Sequence, residues 1–201
     1  MSRFYKTIIT ILKPIVRLLF KYEVVGIENI PNENGNFMLC CNHQSFLDVV
    51  LLAVMCPYQI NFMAKKELFK FKPLGWLFKK VGAFPVNRGA GDVSAVKHAE
   101  EILKKGGVLG IFPEGTRNPM GAPSRAKAGA AMLAINTGAD ILPVAIRYSK
   151  KPILFKKVSV RIGRLINGEG FTKSEKISKT EIKRVTGIIM ENITNLWETK
   201  I

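Results

Sequence analysis

Apolar residues recur through residues 4–21 as Phe4, Ile8, Ile11, Leu12, Ile15, Leu18 and Leu19, with Lys6, Thr10, Lys13, Arg17 and Lys21 between them. Steps of three and four are the repeat of an amphipathic helix, here with a cationic face. Pro14 has no backbone N–H, so it is expected to kink this helix or divide it in two. Charge interrupts the segment long before the ~20 apolar residues that a membrane span needs. The uncharged core at 7–12 is short for a secretory leader, and no small-x-small cleavage site follows it. Two readings remain open. One is a helix lying in a membrane interface with its Lys and Arg among phosphates; the other is an ordinary surface helix packed on the core. The absence of any acidic residue before Glu23 favours the first.

From there the periodicity changes. Residues 22–27 and 36–41 read as strands separated by a turn at 31–35, and residues 45–55 as a buried helix. A strand at 59–64 precedes a helix that starts near Pro73 and includes 75–80, then a strand at 82–86. Residues 94–105 form a helix closed by Gly106-Gly107, followed by a strand at 108–112 and a polar loop at 113–124. A small-residue helix at 125–137 ends at Gly138; strands at 141–148 and 157–163 and a capped helix at 178–198 complete the chain. Alternation of strands and helices at this spacing predicts one α/β domain with a mixed, mostly parallel sheet flanked by helices. The organisation expected is an interface segment at 1–21 and a globular domain at 22–201.

Composition adds one unusual property. Apolar residues at 47% and charged residues at 23% of 201 are ordinary for a folded domain, but the net charge is +16. Such a surface attracts anions, of which nucleic acid and acidic lipid headgroups are the usual candidates. Cys40, Cys41 and Cys56 are odd in number, lack CxxC spacing and sit in apolar runs. They read as reduced core thiols in a cytosolic setting, which excludes a disulfide scaffold.

Candidate chemistry concentrates where the 36–41 strand meets the following helix, in Asn42-His43-Gln44-Ser45-Phe46-Leu47-Asp48. Histidine is poised for proton transfer near neutral pH, and a carboxylate can fix its tautomer. Five residues along a helix turn through about 500°, leaving two side chains roughly 140° apart. His43 and Asp48 can therefore meet only if His43 precedes the helix and Asp48 lies in its first turn. Ser45 with Asp48 also makes a capping box, which alone would account for the carboxylate. A second group, Phe112-Pro113-Glu114-Gly115-Thr116-Arg117-Asn118, follows a strand and brings amides, a hydroxyl and a guanidinium to the sheet edge. Arginine's fork suits phosphate or carboxylate at that edge, although a plain polar loop has the same composition. The third stretch runs from Lys65 to Arg88 and interleaves Phe69, Phe71, Trp76 and Phe78 with lysines. It suits single-stranded nucleic acid, a membrane surface or a half-buried helix equally well.

Together these motifs, with Phe84-Pro85-Val86-Asn87-Arg88 and Ile141-Leu142-Pro143-Val144-Ala145, resemble the glycerolipid acyltransferase family in order and spacing over residues 22–165. The resemblance is nearest to the bacterial 1-acylglycerol-3-phosphate acyltransferases. It implies acyl transfer from a thioester, either acyl-CoA or acyl-acyl carrier protein, to the sn-2 hydroxyl of a lysophosphatidic acid, giving phosphatidic acid for phospholipid biosynthesis. His43 would be the general base and Asp48 its orienting partner. Arg117, with Lys65 and Arg88, would hold the acceptor phosphate. Asn42, Glu114, Gly115 and Thr116 would shape the pocket, and Pro143 and Val144 would line the acyl site or support the core. No metal and no tightly bound cofactor are implied. The expected place of action is an anionic membrane surface, the cytoplasmic face of the cell membrane, reached as a peripheral or monotopic protein. Acylation of glycerol 3-phosphate or another lysolipid is the nearer alternative, and a basic nucleic-acid-binding module the remote one.

Overall fold

The run Phe37–Cys41 is at most 2% exposed at any position. A strand with one wet face would alternate, so a continuous apolar run marks a central strand covered on both sides. In the computed structural model this run is β2, the middle of a seven-stranded sheet ordered β1-β7-β6-β2-β5-β3-β4. The other strands are β1 (Lys21–Val25), β3 (Ile60–Lys65), β4 (Phe84–Val86), β5 (Val108–Ile111), β6 (Asp140–Tyr148) and β7 (Lys157–Ile162). The structure describes residues 1–32, 36–87, 91–118, 121–149, 157–171 and 177–199. Every pairing is parallel except β6 with β7, so the sheet is mixed and mostly parallel, as expected.

Successive residues of β2 feed opposite cores because side chains alternate along a strand. Phe37, Leu39 and Cys41 enter one core, packed by α1 (Arg3–Leu19) and α2 (Leu47–Met55). Met38 and Cys40 enter the other, packed by α4 (Val93–Lys104), α5 (Gly129–Thr137) and α6 (Lys179–Glu198). The remaining helix, α3 (Lys72–Lys80), follows a short 3₁₀ turn at Lys66–Phe69. Glycine is needed at Gly110 of β5, where a Cβ would collide with the Phe62 ring and with Ile60. That close approach lets Phe62 sit beside the next residue after β5, Phe112, at 5.9 Å between ring centroids.

Three helices depart from expectation, each for a local reason. Pro14 does not divide α1, which runs unbroken from Arg3 to Leu19. Pro14 is exposed, while core contacts of Ile9 and Leu12 before it and Val16 after it anchor the helix on both sides. α2 begins at Leu47, not at residue 45, because the Asp48 carboxylate binds the Gln44 and Ser45 amides outside the helix. α5 begins at Gly129, not at residue 125. The preceding stretch lies along the 113–117 loop, where the Lys127 N–H donates to the Pro113 carbonyl.

α1 packs one of its sides on the core and leaves a second apolar side exposed. At about 100° per residue, Tyr5, Ile9, Leu12 and Val16 share one side, and Phe4, Ile8, Ile11, Ile15 and Leu18 a second roughly 110° away. The first row packs on the core. In the second row Ile11, Ile15 and Leu18 are 55%, 44% and 78% exposed. Phe4, at the start of this row, meets Trp76 of α3 edge-on at 5.5 Å. Lys6, Thr10, Lys13 and Arg17 occupy the third side.

Candidate active site

β2, β5, β3 and β4 are adjacent and parallel, so their carboxyl ends open on one edge of the sheet. Cys40 pairs with Ile111, Phe62 with Gly110 and Lys65 with Val86. This register sets His43, the 112–118 loop and Lys65 side by side at the edge where open α/β sheets take ligands.

His43 lies just before α2 and Asp48 lies in its first turn, as the spacing required. His43 Nδ1 is 2.9 Å from Asp48 Oδ2, and both residues are buried. A carboxylate can only accept, so Nδ1 carries the proton and Nε2 carries the lone pair. The same Oδ2 accepts the N–H groups of Gln44 at 2.7 Å and Ser45 at 2.8 Å. The other oxygen, Oδ1, accepts the Tyr148 hydroxyl at 2.7 Å. Four donors thus converge on one buried carboxylate and fix its direction. Burial, reinforced by the Asp48 charge and its hydrogen bond, pushes the Tyr148 phenol well up from its ordinary range and keeps it a donor.

The imidazole is also held on its faces and along its backbone. The Phe112 ring stacks on it at 3.8 Å between centroids and 17° between planes. The His43 N–H donates to Glu114 Oε1 at 3.1 Å, and its carbonyl accepts the Asn118 N–H at 2.7 Å. Glu114 Oε2 accepts the Ser124 hydroxyl. Glu114, expected to shape the pocket, is buried and turned inward, where it holds the His43 backbone. Asn42 behaves likewise. Its amide accepts the Ile146 N–H at 2.8 Å and donates to the Ile146 carbonyl at 2.9 Å, clamping the end of β2 to β6.

The remaining expected site residues divide into two groups. Thr116 and Arg117 are exposed at the edge, and the Arg117 guanidinium lies 3.8 Å over the Phe46 ring. Lys65 ends β3 with its ammonium 3.4 Å from Glu67 Oε1. Gly115 adopts φ +72°, a conformation that favours glycine. Arg88 lies outside the described residues. Pro143 and Val144 are buried on β6, registered with Cys40 and Cys41, so they support the core beneath the site. Three contributors lacked any sequence signal: Phe112 as a stacking platform, and Tyr148 and Ser124 as partners of the two acids. Among the described residues no cluster of three or more His, Cys, Asp and Glu is placed to hold a metal ion.

Buried thiols stand behind the site. Burial pushes Cys40 up to about 12 and Cys56 up to about 11. Burial first, then the charges of Asp48 and Glu114, raises Cys41 well above the usual thiol range. None of them is a ready nucleophile.

A sequence profile of the Acyltransferase family matches residues 21–147, from the start of β1 almost to the end of β6. The chain is 36% identical over 197 residues to a 1-acyl-sn-glycerol-3-phosphate acyltransferase of Bacillus subtilis (strain 168), covering 96% of each. It is 31% identical over 189 residues to the protein of that name from Borreliella burgdorferi, covering 89% of this chain and 72% of the relative. Among solved structures it is similar to the 1-acyl-sn-glycerophosphate (LPA) acyltransferase, PlsC, from Thermotoga maritima, with a TM-score of 0.75 and 28% identity. That match covers 98% of this chain and 83% of the other. Since the profile spans the strands that build the reaction edge and the alignments run nearly end to end, the chain belongs to the acyltransferase family.

Proposed function

We propose that the protein transfers a fatty acyl group from an acyl thioester to the sn-2 hydroxyl of 1-acyl-glycerol-3-phosphate, yielding phosphatidic acid. The observation that carries this reading is the His43–Asp48 hydrogen bond, which leaves Nε2 as the base at the edge where Arg117 stands exposed. The acceptor hydroxyl gives its proton to Nε2 as its oxygen attacks the thioester carbonyl carbon. The resulting imidazolium is stabilised by Asp48, as in the serine-protease triad. Collapse of the tetrahedral intermediate breaks the C–S bond, and the imidazolium returns the proton to the departing thiolate. An ester, a free thiol and a neutral imidazole result, with no acyl-enzyme. The donor is acyl-CoA or acyl-acyl carrier protein, and the acceptor phosphate is held by Arg117 with support from Lys65 and Arg88.

Arg117→Ala tests the phosphate assignment. It is expected to raise KM for the lysophosphatidate by about tenfold or more, because a charge-assisted bidentate contact is lost. KM for the thioester should change far less, and an equal rise in both would remove Arg117 from the acceptor site. Labelled acyl thioester offered with a panel of lysophospholipids and glycerol 3-phosphate, followed by product separation, decides the acceptor.

The enzyme works, in this reading, at the anionic cytoplasmic face of the cell membrane. Among the described residues no helix is long and apolar enough to cross a membrane. What supports surface docking is the exposed apolar row of α1 beside its cationic row. Deleting residues 1–20 would also strip Tyr5, Val16 and Phe20 from the core, so truncation confuses docking with folding. Replacing Ile11, Ile15 and Leu18 with serine avoids this. The triple variant should keep its far-ultraviolet circular dichroism and lose about tenfold or more in affinity for anionic vesicles, since apolar area no longer enters the bilayer. Undiminished sedimentation with vesicles would shift the contact to α3 and its N-cap, where Trp76 and Phe71 are 55% and 67% exposed.

A further inference from the structure

The segment that fails to join α5 carries a cation to the reaction edge. The Lys127 N–H donates to the Pro113 carbonyl at 2.8 Å, one residue from the ring stacked on His43. Ser124, three residues earlier, is tied to Glu114. These two bonds fold 121–128 back on the 113–117 turn, and the Lys127 side chain runs across Gly115. A Cβ built on Gly115 would stand 3.0 Å from Lys127 Cδ and Cε and 3.3 Å from Nζ. The ammonium therefore rests against the backbone that carries Glu114 and Arg117.

No carboxylate neutralises it. Among the described residues the side-chain ion pairs are His43–Asp48, Lys65–Glu67 and Arg184–Glu181. Both oxygens of Glu114, the one acid in the 113–118 turn, are engaged by the His43 N–H and the Ser124 hydroxyl. Arg117 and Lys127 are two cations with no ion-pair partner among the described residues, both on segments that line the edge where His43 stands. A phosphate monoester carries up to two negative charges and three acceptor oxygens. One planar fork and one point charge together match it better than either alone.

We infer that Lys127 is a further cation of the acceptor's phosphate site, added to Arg117, Lys65 and Arg88. The inference rests on the phosphorylated-lysolipid reading above. Gly115 then has two reasons to be glycine: its φ of +72°, and the space that Lys127 occupies.

Lys127→Met and Lys127→Arg, assayed with lysophosphatidate and with the phosphate-free 1-acylglycerol, test it. Lys127→Met should raise KM for lysophosphatidate about tenfold, as expected for one lost charge-assisted contact, with a smaller change in kcat and in thioester KM. The preference for the phosphorylated acceptor, as a ratio of kcat/KM values, should fall by about the same factor. Lys127→Arg should restore most of the loss, and both variants should melt close to wild type because the side chain is exposed. An acceptor KM within about twofold of wild type, or an equal rise in thioester KM, overturns the role of Lys127. A wild-type enzyme that uses 1-acylglycerol as well as lysophosphatidate instead overturns the acceptor reading, and this inference with it.

Discussion

His43→Ala is expected to reduce acyl transfer by about 10²–10⁴-fold, the usual worth of a positioned general base. The fold should survive. The two loop contacts of His43 are made by its backbone, to Glu114 and from Asn118, and alanine keeps both. Asp48 keeps the Gln44 and Ser45 amides and the Tyr148 hydroxyl. What is lost is the ring between Asp48 and Phe112, which should cost roughly 1–2 kcal/mol of stability. Initial rates of labelled acyl transfer, read beside a thermal melt, separate the two effects. Activity within tenfold of wild type in a folded variant would mean that the acceptor hydroxyl is deprotonated elsewhere.

How much of this was legible in the chain depends on distance along it. The 36–41 segment was legible as a strand, though not as the central one, and the His-to-Asp spacing required the imidazole to precede the helix. Both are local properties, and both held. The identity of the other partners is non-local. Tyr148 binds Asp48 across 100 residues, and Asn42 binds Ile146 across 104. Neither tyrosine nor asparagine advertises such a bond by spacing. The inward direction of Glu114 was hidden for a related reason. Thr116 and Arg117 nearby are exposed, and nothing in composition says that the one acid of the turn points inward to hold His43. Residues 125–137 show the limit of local pattern from the other side. The small-residue run suits a helix throughout, yet bonds from Ser124 and Lys127 to the neighbouring loop hold its start extended. α1 was harder still, because one sequence carries two apolar rows, and only packing decides which is buried.

Asp48 is where local and non-local effects meet, and its variants decide between capping and catalysis. Capping alone would need one carboxylate oxygen on the amides before α2. In the structure that same oxygen also holds the His43 ring, while the second oxygen is spent on Tyr148. Asp48→Asn can turn its carbonyl oxygen toward His43, Gln44 and Ser45 and present its NH₂ to Tyr148, whose hydroxyl can rotate to accept. The His43 Nδ1–H and the two amides then keep an acceptor, Tyr148 exchanges a donated bond for an accepted one, and the stability loss should stay near 1–2 kcal/mol, about that of a weakened buried hydrogen-bond set. The negative charge proposed to stabilise the imidazolium is gone, however, so kcat should fall by about 10²–10⁴-fold. Asp48→Ala differs in kind. It leaves His43 Nδ1, two backbone amides and the Tyr148 hydroxyl facing an empty site, each a buried donor without an acceptor. Its expected cost is about 3–5 kcal/mol, enough to lower the melting temperature sharply and to obscure the activity loss. The informative measurement is therefore the pair: melting temperature and kcat for Asp48→Asn. A near-normal melt with a collapsed kcat assigns the carboxylate's charge to the reaction. A near-normal melt with kcat within tenfold of wild type would reduce Asp48 to a cap.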